Sequence, residues 1–397
     1  MKQNLKNKNI VLIYIYNFLS TFLLFRACDT LYYLSKGISS SKYIFFTVIS
    51  SLMVLIMQIP ISTIGDKINK KIMLLVSNLL TFISIILFII SSHYVGFIIA
   101  IIFQTLQGLF ANGIVNSILY GEAKNKKEFS KMIFIKSIFA YTGYGIAMIL
   151  GGYVGNKSLV NMYYFSLIPI IINFIVLLLL KDIKSKSSNT KKYKAIIKEA
   201  LTIIKNNKVT RYLFLCHSLL VSILMIMAET HPEYSSRLGI SALIIGFYTS
   251  FMLVAGIIGE YIGSKIRNDI IKIFVFPLIA SIALILTGLL NNYCGIILII
   301  LMQFLYDVEY NGMISILHSN INDKSRVTIE GFLSVVTNIF GLIFGLIITF
   351  ILKYTEVSSM YIISGIILFI YLIIIFIKYK KYIICYFEES KKESEKI

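Results

Sequence analysis

The stretch QFLYDVEYNG, residues 303–312, sets two carboxylates, Asp307 and Glu309, inside an apolar run of bilayer-spanning length. An Asp at the centre of a bilayer costs roughly 2.5–3.5 kcal/mol on the insertion scale. Side chains that costly are kept where they carry a proton, hold a cation or answer a polar partner. At about 100° per residue, Gln303, Asp307 and Asn311 fall within ~80° of one another, with His318 close by. Glu309 lies about 200° from Asp307, so the two acids cannot face the same space. Asp307 is therefore the candidate for proton or cation chemistry. Glu309 is expected to be a structural acid that meets Asn338 on a neighbouring helix or stays protonated.

A second polar stripe repeats the first. Gln104, Gly108 and Asn112 share a face of an earlier apolar run, with Asn116 slightly round from it. Arg26 and Asp29 stand three residues apart on one face of the first run, and Glu229 lies at a similar height in the seventh. At 1.5 Å per residue Arg26 sits about 24 Å above the start of its run. Lys136 lies near one end of the fifth run, where its long stem can snorkel to the interface. His93, His217, His231 and His318 are scattered, and no nucleophile elbow, phosphate loop or metal-ligand spacing accompanies them. The four cysteines show no paired spacing either. No catalytic residue, metal or cofactor is expected.

The composition says what must position these groups. Of 397 residues, 57% are hydrophobic and 14% charged, and the mean hydropathy is +0.83. Soluble domains run near 45–50% apolar and about 25% charged. An all-α integral membrane protein is the reading, because only helices or closed barrels satisfy the backbone in lipid and these runs are too long for strands. Twelve runs of about 20 apolar residues are present. They lie near 10–35, 43–64, 72–91, 95–119, 132–154, 160–180, 212–230, 241–264, 271–290, 294–317, 327–352 and 358–379. The N-terminal stretch lacks a small-residue cleavage site and is expected as the first of these spans.

The net charge of +19 follows from topology rather than from nucleic-acid binding. With a cytoplasmic N-terminus, only Lys36, Lys42, Lys157, Arg237 and Lys353 of the 38 basic residues fall outside, and Arg26 and Lys136 lie within spans. Both termini are thus expected in the cytoplasm, facing an anionic inner leaflet. The linker places lysines between apolar pairs at helical spacing (Ile196/Ile197, Ala200/Leu201, Ile203/Ile204), as an interfacial helix would. The expected divisions are a first six-helix bundle at 1–181, a linker at 182–209, a second bundle at 210–379 and a disordered tail at 380–397.

The halves repeat. KGIS (36–39) is echoed by LGIS (238–241), IGDKINKK (64–71) by IGSKIRND (262–269), and Gln104, Asn112, Gly113 by Gln303, Asn311, Gly312. Three matches in one order at a displacement of about 200 residues indicate an internal duplication. Two six-helix halves in parallel repeat suit a transporter.

On these residues the chain resembles a major facilitator superfamily transporter over nearly its full length. STIGDKINKK between spans two and three resembles the family loop G-x-L-A-D-R-x-G-R-K, with Ser62 and Asn69 replacing two glycines. The resemblance implies that Gly65, Asp66, Lys67, Lys70 and Lys71 form a conformational-switch loop. QTLQGLFANG in span four is similar to a family motif whose proton-coupled members carry Arg where Gln104 stands. GYGIAMILGG in span five resembles a Gly-rich antiporter motif without its Pro, and close helix packing is the preferred reading of those glycines. With DKSRVT (323–328), the likeness is to small-molecule and drug efflux members of low-GC bacteria.

What the resemblance implies is a multi-pass plasma-membrane transporter, expected as a monomer, working by alternating access. The substrate and proton pathway would then run past Asp307, Gln303, Asn311, Gln104, Gly108, Asn112 and Asn116. Arg26, Asp29 and Glu229 would make an outer gate or ion pair. Proton-coupled export of an amphipathic or cationic small molecule is the expected activity. An uncoupled facilitator or importer of a small metabolite, and a transport-inactive receptor or scaffold, are the alternatives.

Overall fold

A computed structural model describes residues 2–181, 202, 205, 207–266, 268–319 and 326–394. Most of the linker, with its expected interfacial helix, lies outside the described residues, as do the side chains of Asp66, Lys67 and His318. Among the described residues, eleven helices are long and apolar enough to cross a membrane. The first predicted span makes the twelfth crossing, in pieces. The chain divides into two compact units, Met1–Asn189 with Gly239–Ser250, and Thr190–Leu238 with Phe251–Ile397. The start of span eight therefore groups with the first unit, a division that falls inside the second bundle as drawn from the sequence.

The sequence predicts span one as one run, 10–35. Instead Lys2–Thr21 is helical, Leu24–Ala27 forms a 3₁₀ turn and a short helix resumes at Asp29–Ser35. No Pro or Gly breaks the run; tertiary contacts hold the break. Ser166 Oγ of span six accepts the backbone N–H of Leu24 at 2.9 Å and of Phe25 at 3.4 Å. Those amides would otherwise be orphaned at a helix end inside the bundle. Thr21 Oγ1 donates to the Ala140 carbonyl of span five at 2.9 Å. Arg26 thus rides on the turn and not on a straight helix, so the height estimated from helical rise does not apply to it.

Spans two and three are the helices Ser40–Lys67 and Lys70–Ile90. Span four is two helices, Tyr94–Ala111 and Ile114–Glu122, divided at Asn112–Gly113. Gly113 has φ +72°, a left-handed conformation costing a non-glycine L-residue about 1–2 kcal/mol. A Cβ there would meet nothing within 4 Å, so the backbone alone sets the cost. Gly113→Ala is expected to lower stability by about 1–2 kcal/mol and Gly113→Asn by less, read as midpoints of thermal unfolding in detergent. The duplicated pair in span ten behaves differently: Asn311 and Gly312 lie within one unbroken helix, Tyr293–Ser319. There the glycine serves close approach, since a Cβ on Gly312 would lie 2.6 Å from Cβ of Lys272. One inherited dipeptide makes a joint in the first half and a packing notch in the second.

Spans five and six are Lys126–Lys157 and Leu159–Leu179. The second unit's core is built round span seven, Lys208–Arg237, where 67% of the apolar stretch is buried. Span eight is Ala242–Lys265. Span nine opens with one π-helical turn, Ile271–Val275, before Phe276–Leu290. Span eleven is Arg326–Ile351. Span twelve runs from Val357 to Ser394, through the segment expected to be a disordered tail. No Gly or Pro follows Gly365, and Glu388 and Lys392 stand at favourable i, i+4 spacing, so nothing in the sequence stops the helix.

Candidate functional site

The two acids of span ten are sorted by its helical twist. Asp307 turns toward span eight: a Cβ on Gly256 would lie 2.5 Å from its Oδ2, and one on Gly259 would lie 3.2 Å from its Cβ. Gln303 Nε2, one turn earlier on the same helix, donates to Asp307 Oδ2 at 2.7 Å. Asn311 continues that face, 3.0 Å from a Cβ built on Gly263. The stripe read from the sequence is therefore a line of polar groups laid along the glycines of span eight.

Glu309 turns to span seven. Its Oε2 lies 2.9 Å from His217 Nδ1, with side chains 2% and 5% exposed. The partner expected from the sequence, Asn338, instead donates to the Ser334 carbonyl of its own helix at 2.8 Å. The reason is geometric: Asn338 satisfies itself locally, whereas the imidazole of His217 reaches across to the acid. Ser218 Oγ lies 3.3 Å from Thr337 Oγ1, and Ser222 Oγ donates to the Thr337 carbonyl at 3.2 Å. These contacts fasten span seven to span eleven beside the pair.

His217 also borders a cavity of about 220 Å³, lined by Met225, Tyr310, Ile314, Leu333, Ser334, Thr337 and Asn338. His217, Tyr306 and Tyr310 form an aromatic cluster. His217 stands 6.1 Å from Tyr306 at 23° and 5.8 Å from Tyr310 at 35°, with the two tyrosines 6.1 Å apart at 29°. A buried acid–imidazole pair at the edge of a cavity can shuttle one proton between two groups at constant net charge. It can also take up a second.

Sequence reasoning passed over His217. The available signal was a His amid the apolar residues of span seven, facing a span that carries an unexplained acid.

In the first unit, the residues expected to pair with this site are less enclosed. Gln104 is half-buried, Gly108 has nothing within 4 Å of a built Cβ, and Asn112 and Asn116 are exposed. Lys136 Nζ donates to Asn116 Oδ1 at 3.0 Å, so this lysine ties span five to span four. Asp29 Oδ1 accepts the backbone N–H of Thr30 at 2.8 Å, within electrostatic reach of Arg26. Arg26 and Asp29 belong to the first unit and Glu229 to the second.

The loop after span two is tied to its neighbours by hydrogen bonds. Asn69 Oδ1 accepts the Lys71 backbone N–H at 2.9 Å and caps span three. Lys71 Nζ donates to the Leu178 and Leu180 carbonyls at 2.8 and 2.7 Å, at the end of span six. Lys70 Nζ donates to the Ser117 carbonyl of span four at 3.2 Å. Cations at helix C-termini are favourable because the last carbonyls carry partial negative charge. Lys71→Met is expected to cost about 1–2 kcal/mol, seen as a lower unfolding midpoint, while Lys70→Met costs less. An equal effect from both would contradict the assignment.

No curated relative matches the sequence. Solved structures do. The chain is similar to the nucleoside transporter NupG (D323A mutant), with 15% identity, TM-score 0.73, and 95% of this chain and 99% of that one covered. It is similar to a POT family transporter in complex with a thioalcohol conjugated peptide, with 13% identity, TM-score 0.73, and 94% and 96% covered. A D-xylose-proton symporter matches at 11% identity and TM-score 0.69, with 93% and 96% covered. At these identities the likeness is one of fold. The family model described as Major Facilitator Superfamily matches residues 10–329. On a match that long, together with the two-unit helical fold, the chain belongs to the Major Facilitator Superfamily and is a multi-pass membrane transporter rather than an enzyme.

Proposed function

We propose that the chain is a secondary active transporter that works by alternating access and couples the movement of a small organic molecule to protons at His217 and Glu309. The observation that carries this reading is the buried 2.9 Å pair at the rim of the second unit's cavity. A coupling group must be shielded from bulk water yet adjacent to the substrate space, and this pair is both. Among the described residues, Tyr212, Cys216 and Asp307 lie in electrostatic reach of Glu309. We assign coupling to Glu309 over Asp307 because the Asp307 carboxylate is engaged by Gln303 against span eight.

The direction we propose is export, on the resemblance of residues 323–328 to efflux members. The cationic half of the expected substrate is weaker, since the nearest acid to the cavity is already matched by His217. A second reading, an uncoupled facilitator or importer, draws on Gln104 standing where proton-coupled members carry Arg. We place the chain in the plasma membrane and expect a monomer.

Accumulation profiling of cells with and without the chain, across a panel of small molecules, identifies the substrate and direction. Flux of that substrate into proteoliposomes should then follow an imposed pH gradient. Glu309→Gln should lose that dependence yet retain counterflow with the gradient collapsed. A substrate-independent check is infrared difference spectroscopy across pH. A carboxyl C=O band should vanish in Glu309→Gln and persist in Asp307→Asn. Gradient-driven flux that survives Glu309→Gln ends the coupling assignment, and wild-type flux indifferent to pH favours the facilitator.

A further inference from the structure

We propose that the second unit's cavity takes an uncharged, planar heterocycle of one or two rings, bearing both hydrogen-bond donors and acceptors, in preference to a lipophilic cation. The proposal rests on the reading of this cavity as the substrate space and names the class of molecule it selects.

Four features of the lining converge. The first is charge. Among the described residues, the lining includes no Asp, Glu, Lys or Arg. The acid behind it, Glu309, is matched by His217. A cation entering this space would find no uncompensated carboxylate, and an anion no uncompensated base, so either would pay desolvation without return. The second is shape. Tyr310 and His217 both line the cavity and pack against one another, with ring centroids 5.8 Å apart and planes inclined by 35°. An aromatic lining of this kind favours a flat π-system by offset or edge stacking.

The third is polarity. Ser334, Thr337 and Asn338 stand at i, i+3 and i+4 on span eleven, on one face of the helix. Two hydroxyls and an amide supply neutral donors and acceptors together, the complement of a heteroaromatic edge. Asn338 gives one amide N–H to the Ser334 carbonyl and Thr337 Oγ1 lies beside Ser218 Oγ, so a ligand meets the second amide N–H, the amide oxygen and the Ser334 hydroxyl. The fourth is size. The cavity measures about 220 Å³, below the ~300–1,000 Å³ of drug-sized ligand sites. Met225, Ile314 and Leu333 add apolar surface to its lining.

The test is thermal unfolding of the purified chain in detergent with four probes at equal millimolar concentration. Uridine and adenine represent the proposed class, xylose is neutral but not planar, and tetraphenylphosphonium is a lipophilic cation. Uridine or adenine should raise the unfolding midpoint by about 2–4 °C or more, with no rise from the other two. Asn338→Leu should abolish the rise. Thr337→Val, the gentler change, should reduce it. Stabilisation by tetraphenylphosphonium or xylose alone, no rise from either heterocycle, or a full rise retained in both variants overturns the proposal. Binding in detergent needs no pH gradient, and Glu309→Gln should keep the rise. If the heterocycles fail while the infrared band still depends on Glu309, the substrate class is wrong and the coupling stands. If they bind while that band is indifferent to Glu309, the coupling is wrong and the class stands.

Discussion

His217→Ala is expected to destabilise the second unit by on the order of 3–5 kcal/mol, because it leaves Glu309 buried without its partner. The carboxylate has 2% of its side chain exposed, so water cannot replace the imidazole. Glu309→Gln should cost less, since an amide still bonds to the imidazole. The double change His217→Leu with Glu309→Met should recover most of the loss, because apolar groups of similar volume often replace a buried ion pair at no cost. Denaturant unfolding in detergent on the two single variants and the double gives the coupling energy directly. Additive losses would show that the two side chains do not depend on one another, and would remove the structural basis for proton exchange between them.

That pair also marks the boundary of what the sequence discloses. The spans were legible because lipid forces long apolar runs, and the charge asymmetry between them follows the same physics. The divergence of Asp307 and Glu309 was legible because helical twist is fixed. The partner of Glu309 was not, because His217 lies 92 residues away on another span, and its place among apolar residues points to no particular partner. Asn338 was the wrong partner for a reason equally invisible in one dimension: its amide closes on its own helix at Ser334. The duplicated Asn-Gly pairs make the same point. Identical dipeptides yield a break at Gly113 and a continuous helix through Gly312. At the second glycine the buried Lys272, held by Asp269 at 2.5 Å, packs over the helix.

Gly151→Ala should be among the most damaging small substitutions in the first unit, costing about 1–3 kcal/mol or more through overpacking. A Cβ on Gly151 would collide with the Leu24 carbonyl oxygen and lie 2.9 Å from Ala27 Cβ. On Gly143 it would fall 2.5 Å from the Phe18 carbonyl oxygen. The closest of these contacts, to the Leu24 and Phe18 carbonyls, are with backbone, so no side chain can swing aside there. The two glycines therefore form the bed on which the broken part of span one lies, and the break exists only while the bed is flat. The helix-packing explanation of GYGIAMILGG thus accounts for both residues without invoking an antiporter role. Gly108 supplies the internal control. It too sits within a helix, yet a Cβ there meets nothing within 4 Å, so Gly108→Ala should be neutral or stabilise by about 0.5–1 kcal/mol through lost chain entropy. Unfolding midpoints of the two alanine variants in detergent separate the cases. Because the turn carries Arg26 beside Asp29, Gly151→Ala should also impair transport before the protein unfolds, while Gly108→Ala leaves span one undisturbed. Equal tolerance at both positions would mean that span one can re-form a straight helix, and that its break is incidental to the transport cycle.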